Sequence, residues 1–131
     1  YENTKIVINF LRKQKKIKEI LYPYKPSSKS YKLWKKYYLG ANGLFSIVVK
    51  SKKRSSVIKF VNSLELFGIG YSWGGFESLV LLQDLRAKTK YTETRQYLRF
   101  AKDEHIVRLH IGLEDPKDLI IDLKRSLKHI K

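Results

Sequence analysis

The sequence has no cysteine and no methionine, only three prolines and seven glycines, and 12 acidic residues against 28 basic ones. Without cysteine there is no disulfide framework and no thiolate metal site, so no metal is expected. A reducing compartment suits such a chain, and a cytoplasmic location is expected. No apolar run reaches the roughly 18 residues of a membrane span, and no secretory signal opens the chain, so no membrane partner is expected. The missing methionine, even at position 1, goes with a start inside a helical pattern that lacks a cap. Together they suggest a domain excised from a longer protein or the product of a shortened reading frame.

What is present argues for a folded domain. A chain of 131 residues can bury roughly two-thirds of its unfolded surface as one unit. A hydrophobic fraction of 43%, with nine Tyr, six Phe and two Trp, excludes a disordered class. The formal charge of +16 is uneven: the first 60 residues hold 16 Lys/Arg and only two Asp/Glu. Of the basic residues 21 are Lys and seven are Arg. A lysine-rich surface binds polyanions through counterion release, whereas base and phosphate reading favours the arginine fork. A Lys-rich, non-specific nucleic-acid-binding module is therefore the alternative reading, and a solvated basic surface is the simpler one.

Apolar spacing at Val7, Phe10, Leu11, Ile17 and Leu21 predicts one amphipathic helix over 4–21. Pro23 and Pro26 mark a loop over 22–30, followed by a short helix or turn in "YKLWKKYY". "LFSIVVK" (44–50), "SLVLL" (78–82) and "IVRLHIG" (106–112) read as strands. Residues 55–67 read as a helix with Ser55 or Ser56 as N-cap and Val57, Phe60, Val61 and Leu64 inward. Residues 83–105 read as loop with some helix. Residues 115–130 carry the clearest helix signals: Asp115 at the N-cap, Pro116 at N1, Asp118 in the first turn and cations in the last. The expected fold is α+β, a mostly antiparallel sheet of about four strands with helices on one face.

Four of the seven glycines fall in "FGIGYSWGGFES" (67–78). The dinucleotide fingerprint fails at Trp73, and the phosphate-loop pattern lacks its Lys and Ser/Thr. "GYSWG" fits the nucleophile-elbow expression at Ser72, but a strand-like segment follows where a helix is required. Asp115 and His129 sit on the terminal helix, and neither His105 nor His110 is better spaced as a base. Anion recognition suits the loop better, with exposed backbone N–H groups and the Ser72 hydroxyl as donors. Arg108, flanked by apolar residues on its strand, is the candidate cation. Its bland alternative is a surface salt bridge, for instance with Glu114.

"YSWGGFESL" (71–79) and "IVRLHIGLEDPKDLIIDL" (106–123), with "LGANGLFSIVVK" (39–50) before them, closely resemble the C-terminal domain of cystathionine β-lyases. These are pyridoxal-phosphate-dependent trans-sulfuration enzymes. The resemblance covers roughly 20–131 and is weakest over 84–104; Trp73 and "RLHIG" look like the β-lyase branch. It implies the small C-terminal domain of an aspartate-aminotransferase-like fold. Residues 1–21 would be a linking helix from a missing large domain, and 22–131 the domain that binds the substrate carboxylate.

By the same resemblance, Arg108 matches the arginine that clamps the substrate α-carboxylate, and Ser72 and Trp73 match the loop closing around it. Tyr71 precedes them at the pocket wall, while Glu77 and Glu114 orient the two motifs. The implied chemistry is β-elimination of cystathionine to homocysteine, pyruvate and ammonia, in methionine biosynthesis. The family's Schiff-base lysine, pyridine-nitrogen aspartate and phosphate loop have no counterpart among these residues. No catalytic or cofactor-binding residue is therefore assigned, and the chain alone is expected to be inactive and to hold no cofactor covalently. The implied partners are a large pyridoxal-phosphate-binding domain, in the same or a separate chain, and an amino-acid thioether, in a homotetramer. A nucleic-acid partner is not expected. A domain parted from its larger half should expose apolar surface, including the sheet beside Arg108, and self-associate.

Overall fold

A computed structural model describes residues 1–24, 26–83 and 100–131. Helix α1 (Glu2–Leu11) leads to strand β1 (Ile17–Leu21), helix α2 (Tyr31–Tyr37), strand β2 (Leu44–Lys50) and helix α3 (Arg54–Asn62). Strands β3 (Gly68–Ile69), β4 (Leu79–Gln83) and β5 (Glu104–His110) follow, then helix α4 (Pro116–Ser126), which closes in a 3₁₀ turn at Leu127–His129. Most of the segment expected to be loop with some helix, 83–105, lies outside the described residues.

The strands form one sheet in the order β1-β2-β5-β4-β3. The expectation of about four, mostly antiparallel strands is corrected: there are five, and the sheet is mixed because β3 runs parallel to β4. The strand missed was β3, two residues inside "FGIG", too short to show a period. Its Gly68 amide donates to the Ser78 carbonyl at 3.0 Å.

The single helix expected over 4–21 is also corrected. The chain leaves the helix after Leu11, turns through 12–15, and returns as β1 against β2, with Ile20 opposite Ile47. Helical spacing was real at Val7 and Leu11, both buried. Beyond them, "IKEIL" is decided by pairing with β2, a long-range contact that overrides local spacing. The 1–21 segment is thus a helix and a strand, and both contribute to the one core.

That core lies between the sheet and three helices. Val7 and Leu11 of α1, Val57 and Phe60 of α3, and Leu119 and Leu123 of α4 meet Phe45, Ile47, Val49, Val80, Val107 and Leu109. Burying each such side chain contributes about 1.5–3 kcal/mol. In contrast, α2 buries none of its residues. Helix α3 begins at Arg54 with Lys53 as N-cap, not Ser55 or Ser56. Ser56 Oγ is turned to the Lys53 carbonyl at 2.8 Å and to Ser51 Oγ at 2.7 Å. Helix α4 follows its sequence signals: Asp115 Oδ1 accepts from the Lys117 amide at 2.8 Å, with Pro116 in the first turn. Among the described residues no helix is long and apolar enough to cross a membrane.

The other face of the sheet carries the site. Successive side chains of a strand alternate in direction, so Ile106, Arg108 and His110 point away from Val107, Leu109 and the helices. Register places Ser46 and Leu81 on either side of Arg108, and Leu44 and Leu79 on either side of His110.

Candidate functional site

Arg108 and the glycine-rich loop, 36–38 residues apart in sequence, meet in the fold. Strand β5 projects the half-buried Arg108 towards the loop that leaves β3. Its Nη2 donates to the carbonyl oxygens of Gly70 at 3.3 Å, Tyr71 at 2.9 Å and Ser72 at 3.0 Å. Because all three bonds converge on Nη2, the Nη1 and Nε groups have no protein acceptor among the described residues. The structure therefore brings Arg108 together with Tyr71 and Ser72. Trp73 lies on the same loop and is 79% exposed.

The loop's polarity differs from the expectation of open N–H donors. Its carbonyls face Arg108, and Ser72 Oγ accepts a hydrogen bond from the Gly74 amide at 3.2 Å. Gly74 has φ +104°, a left-handed conformation that favours glycine. Among the described residues no histidine reaches Ser72: His110 Nε2 is instead 3.1 Å from the Gly75 carbonyl. His129 is exposed in the 3₁₀ turn that ends α4.

Glu114 does not pair with Arg108. Its Oε1 accepts from the Ser78 amide at 2.7 Å and its Oε2 from Ser78 Oγ at 2.8 Å. Ser78 Oγ in turn accepts from the Gly112 amide at 2.9 Å. Asn3 of α1 joins from the far end of the chain, donating to the Glu114 carbonyl at 3.0 Å. The Leu113 amide donates to the Phe76 carbonyl at 2.8 Å. This network fastens the end of the loop to the segment after β5. Glu77 is exposed and takes no part in it.

Sequence reasoning missed Ser78, Asn3, His110 and Gly74. Ser78 and Asn3 carry no local signal, since their partners are 34–111 residues away. The paired glycines after Trp73 and the histidine two residues after Arg108 were visible, but nothing local says that they touch.

The expected apolar surface on the sheet beside Arg108 is buried instead: Val48 is 0% and Leu81 and Ile106 are each 8% exposed. Near the site, exposed large apolar side chains stand on the loop and just after β5, among them Tyr71, Trp73, Phe76 and Leu113.

The lysines on the Arg108 face stand at its far end, Lys18 bonded to Glu104 and Lys50 opposite Glu104 in register. No described lysine amine is set beside the loop. Among the described residues, those at the loop do not fit a covalently held aldehyde cofactor.

A family model described as Cys/Met metabolism PLP-dependent enzyme matches residues 1–128. The chain is 37% identical over 132 residues to an L-alanine/L-glutamate racemase of Wolbachia pipientis wMel, covering 99% of this chain and 32% of that protein. It is 39% identical over 121 residues to a cystathionine beta-lyase of Bordetella avium, covering 92% of this chain and 29% of that protein. A Campylobacter jejuni crystal structure, assigned as an O-acetylhomoserine (thiol)-lyase and carrying a pyridoxyl-lysine monophosphate, superposes with a TM-score of 0.73. It is 29% identical and covers 97% of this chain and 27% of that one. The chain thus spans about a third of the length of the curated relatives it matches. With its family pattern running through nearly every residue, the chain belongs to the Cys/Met metabolism family of pyridoxal-phosphate-dependent enzymes.

Proposed function

We propose that this chain is the C-terminal, substrate-carboxylate-binding part of a pyridoxal-phosphate-dependent carbon–sulfur lyase, a cystathionine β-lyase. The observation that carries this reading is Arg108, half-buried on β5, with two of its three guanidinium nitrogens without an acceptor among the described residues, beside a loop of exposed aromatic residues. A bidentate arginine–carboxylate pair fixes orientation as well as affinity. Relatives named as a racemase and as a β-lyase differ in chemistry, yet each name denotes an enzyme of amino acids, whose common handle is the α-carboxylate.

In this reading Arg108 exchanges its hold on the 70–72 carbonyls for the substrate carboxylate. Tyr71 and Trp73 then cover the bound amino acid, and the Ser72 hydroxyl turns from Gly74 to the same carboxylate. The cofactor, held by a separate large domain, supplies the electron sink that labilises a bond at Cα. Orientation by Arg108 decides which bond that is. Cystathionine would yield homocysteine, pyruvate and ammonia. No described lysine is placed to supply the amine that this chemistry needs, and completed sites would form in a homotetramer.

The test is a hybrid enzyme, with this chain fused to the cofactor-binding portion of a cystathionine β-lyase relative. Cofactor absorbance shows whether the hybrid has loaded. A loaded hybrid that releases pyruvate from cystathionine supports the reading; a loaded but inert one rejects it.

One observation favours a second reading. Lys15, Lys16, Lys50, Lys52, Lys53 and Lys131 line one cavity of about 540 Å³ together with Asp103 and Ser51. Such a concavity suits non-specific binding of a nucleic-acid backbone, with affinity that falls steeply with salt. Single-stranded DNA titrated at two salt concentrations tests it, and binding that is absent or indifferent to salt rejects it.

A further inference from the structure

His110 stands two residues from Arg108 on the same face of β5, and its ring occupies a slot made by two glycines. A Cβ at Gly74 would overlap the imidazole carbon atoms, and a Cβ at Gly43 would press on Cε1 and Nδ1. Gly43 belongs to the turn before β2, and Gly74 to the loop after β3, so the ring is a spacer between segments that share no backbone pairing. On the loop side, His110 Nε2 lies 3.1 Å from the Gly75 carbonyl; a carbonyl only accepts, so Nε2 carries the proton. Nδ1 is buried and without a partner among the described residues. An imidazole is used here as a rigid wedge with one directed donor.

The loop therefore has two side-chain holds from one strand. Arg108 takes its first half through the carbonyls of 70–72, and His110 takes its second half through Gly75. The two holds have different fates when an amino-acid carboxylate arrives. In the reading above Arg108 exchanges its carbonyls for the carboxylate, whereas His110 has no need to move. We infer that His110 is the positioning residue that keeps the 70–75 loop over the site while Arg108 changes partners. This rests on the carboxylate reading of Arg108 given above.

Two substitutions separate the wedge from the donor. His110→Phe keeps a flat ring between the glycines and loses the donor, while His110→Gln restores an N–H at similar reach. Amide hydrogen exchange on this chain reads the loop directly. His110→Phe should speed exchange over 70–76 about tenfold, leave β5 and α4 unchanged, and be rescued by His110→Gln. Loop exchange that stays as in the parent chain overturns the inference. Should His110→Phe loosen β5 and α4 as well, His110→Leu against His110→Gln, side chains of similar size without and with an N–H donor, tests the same contact by the difference between the two. A difference confined to 70–76 supports the inference, and no difference over the loop overturns it. In the loaded hybrid, His110→Phe should raise KM about tenfold with kcat within about twofold. Faster loop exchange with unchanged KM would uphold the positioning by His110 and overturn the carboxylate reading of the loop.

Discussion

Arg108 donates from Nη2 to the Tyr71 carbonyl at 2.9 Å, tying the middle of one strand to a loop that precedes it by 37 residues. A cation whose ligands are carbonyl dipoles is held in place without being neutralised. It stays available to a carboxylate, which binds more strongly than a carbonyl.

Replacing Arg108 by Lys therefore tests more than charge. Lysine keeps the cation but cannot supply a planar fork. In the loaded hybrid, Arg108→Lys should raise KM for cystathionine about 10- to 100-fold with a smaller change in kcat. Steady-state kinetics check this, and unchanged kinetics would remove Arg108 from the substrate.

Ser78→Ala should destabilise the chain by about 1–3 kcal/mol in urea unfolding. The hydroxyl both donates to Glu114 and accepts from the buried Gly112 amide, and its loss leaves that amide unpaired. Loss well under this range would mean that another acceptor reaches Gly112.

Lys18 and Glu104 set a pH window. The hydrogen bond from Lys18, aided by that from the Ala101 amide, holds the Glu104 carboxyl below its usual range. Its stabilisation is complete above the unfolded carboxylate value of about 4.3 and is lost as pH falls through the lowered native value. The hydrogen bond to Glu104 raises Lys18, so that half of the contribution is complete below about 10.4 and is lost as pH rises through the raised value. Glu104→Gln should flatten the thermal midpoint against pH at both ends, while the parent chain falls away there.

The exposed aromatic loop should make the chain sticky. Tyr71, Trp73 and Phe76 are 82%, 79% and 71% exposed and lie on one loop. Replacing Trp73 and Phe76 by Ser should shift a concentration-dependent sedimentation profile towards monomer. A parent chain that is monomeric at every concentration would refute this.

Much of the fold was legible because its signals were local. Helix α4 announces itself through Asp115 and Pro116, and β2 through a run rich in β-branched and aromatic residues. Strand β1 was not legible, because "IKEIL" continues a helical spacing and becomes extended only by pairing with β2. The site divides in the same way. Arg108 and the Tyr71–Trp73 loop could be named from their residue types and the resemblance they carry. The slot between Gly43 and Gly74 could not, since it depends on three segments meeting around His110.

The strand ends of the sheet settle what kind of association remains open. β3 offers only two residues, and β1 has a register shift between Ile17 and Glu19 and carries the charged Lys18 and Glu19. Short or bulged, charged edges are poor templates for another chain's backbone. Copies that gather through the aromatic loop should thus form reversible clusters held by side chains, and the native sheet gives them no rail along which to grow into fibrils.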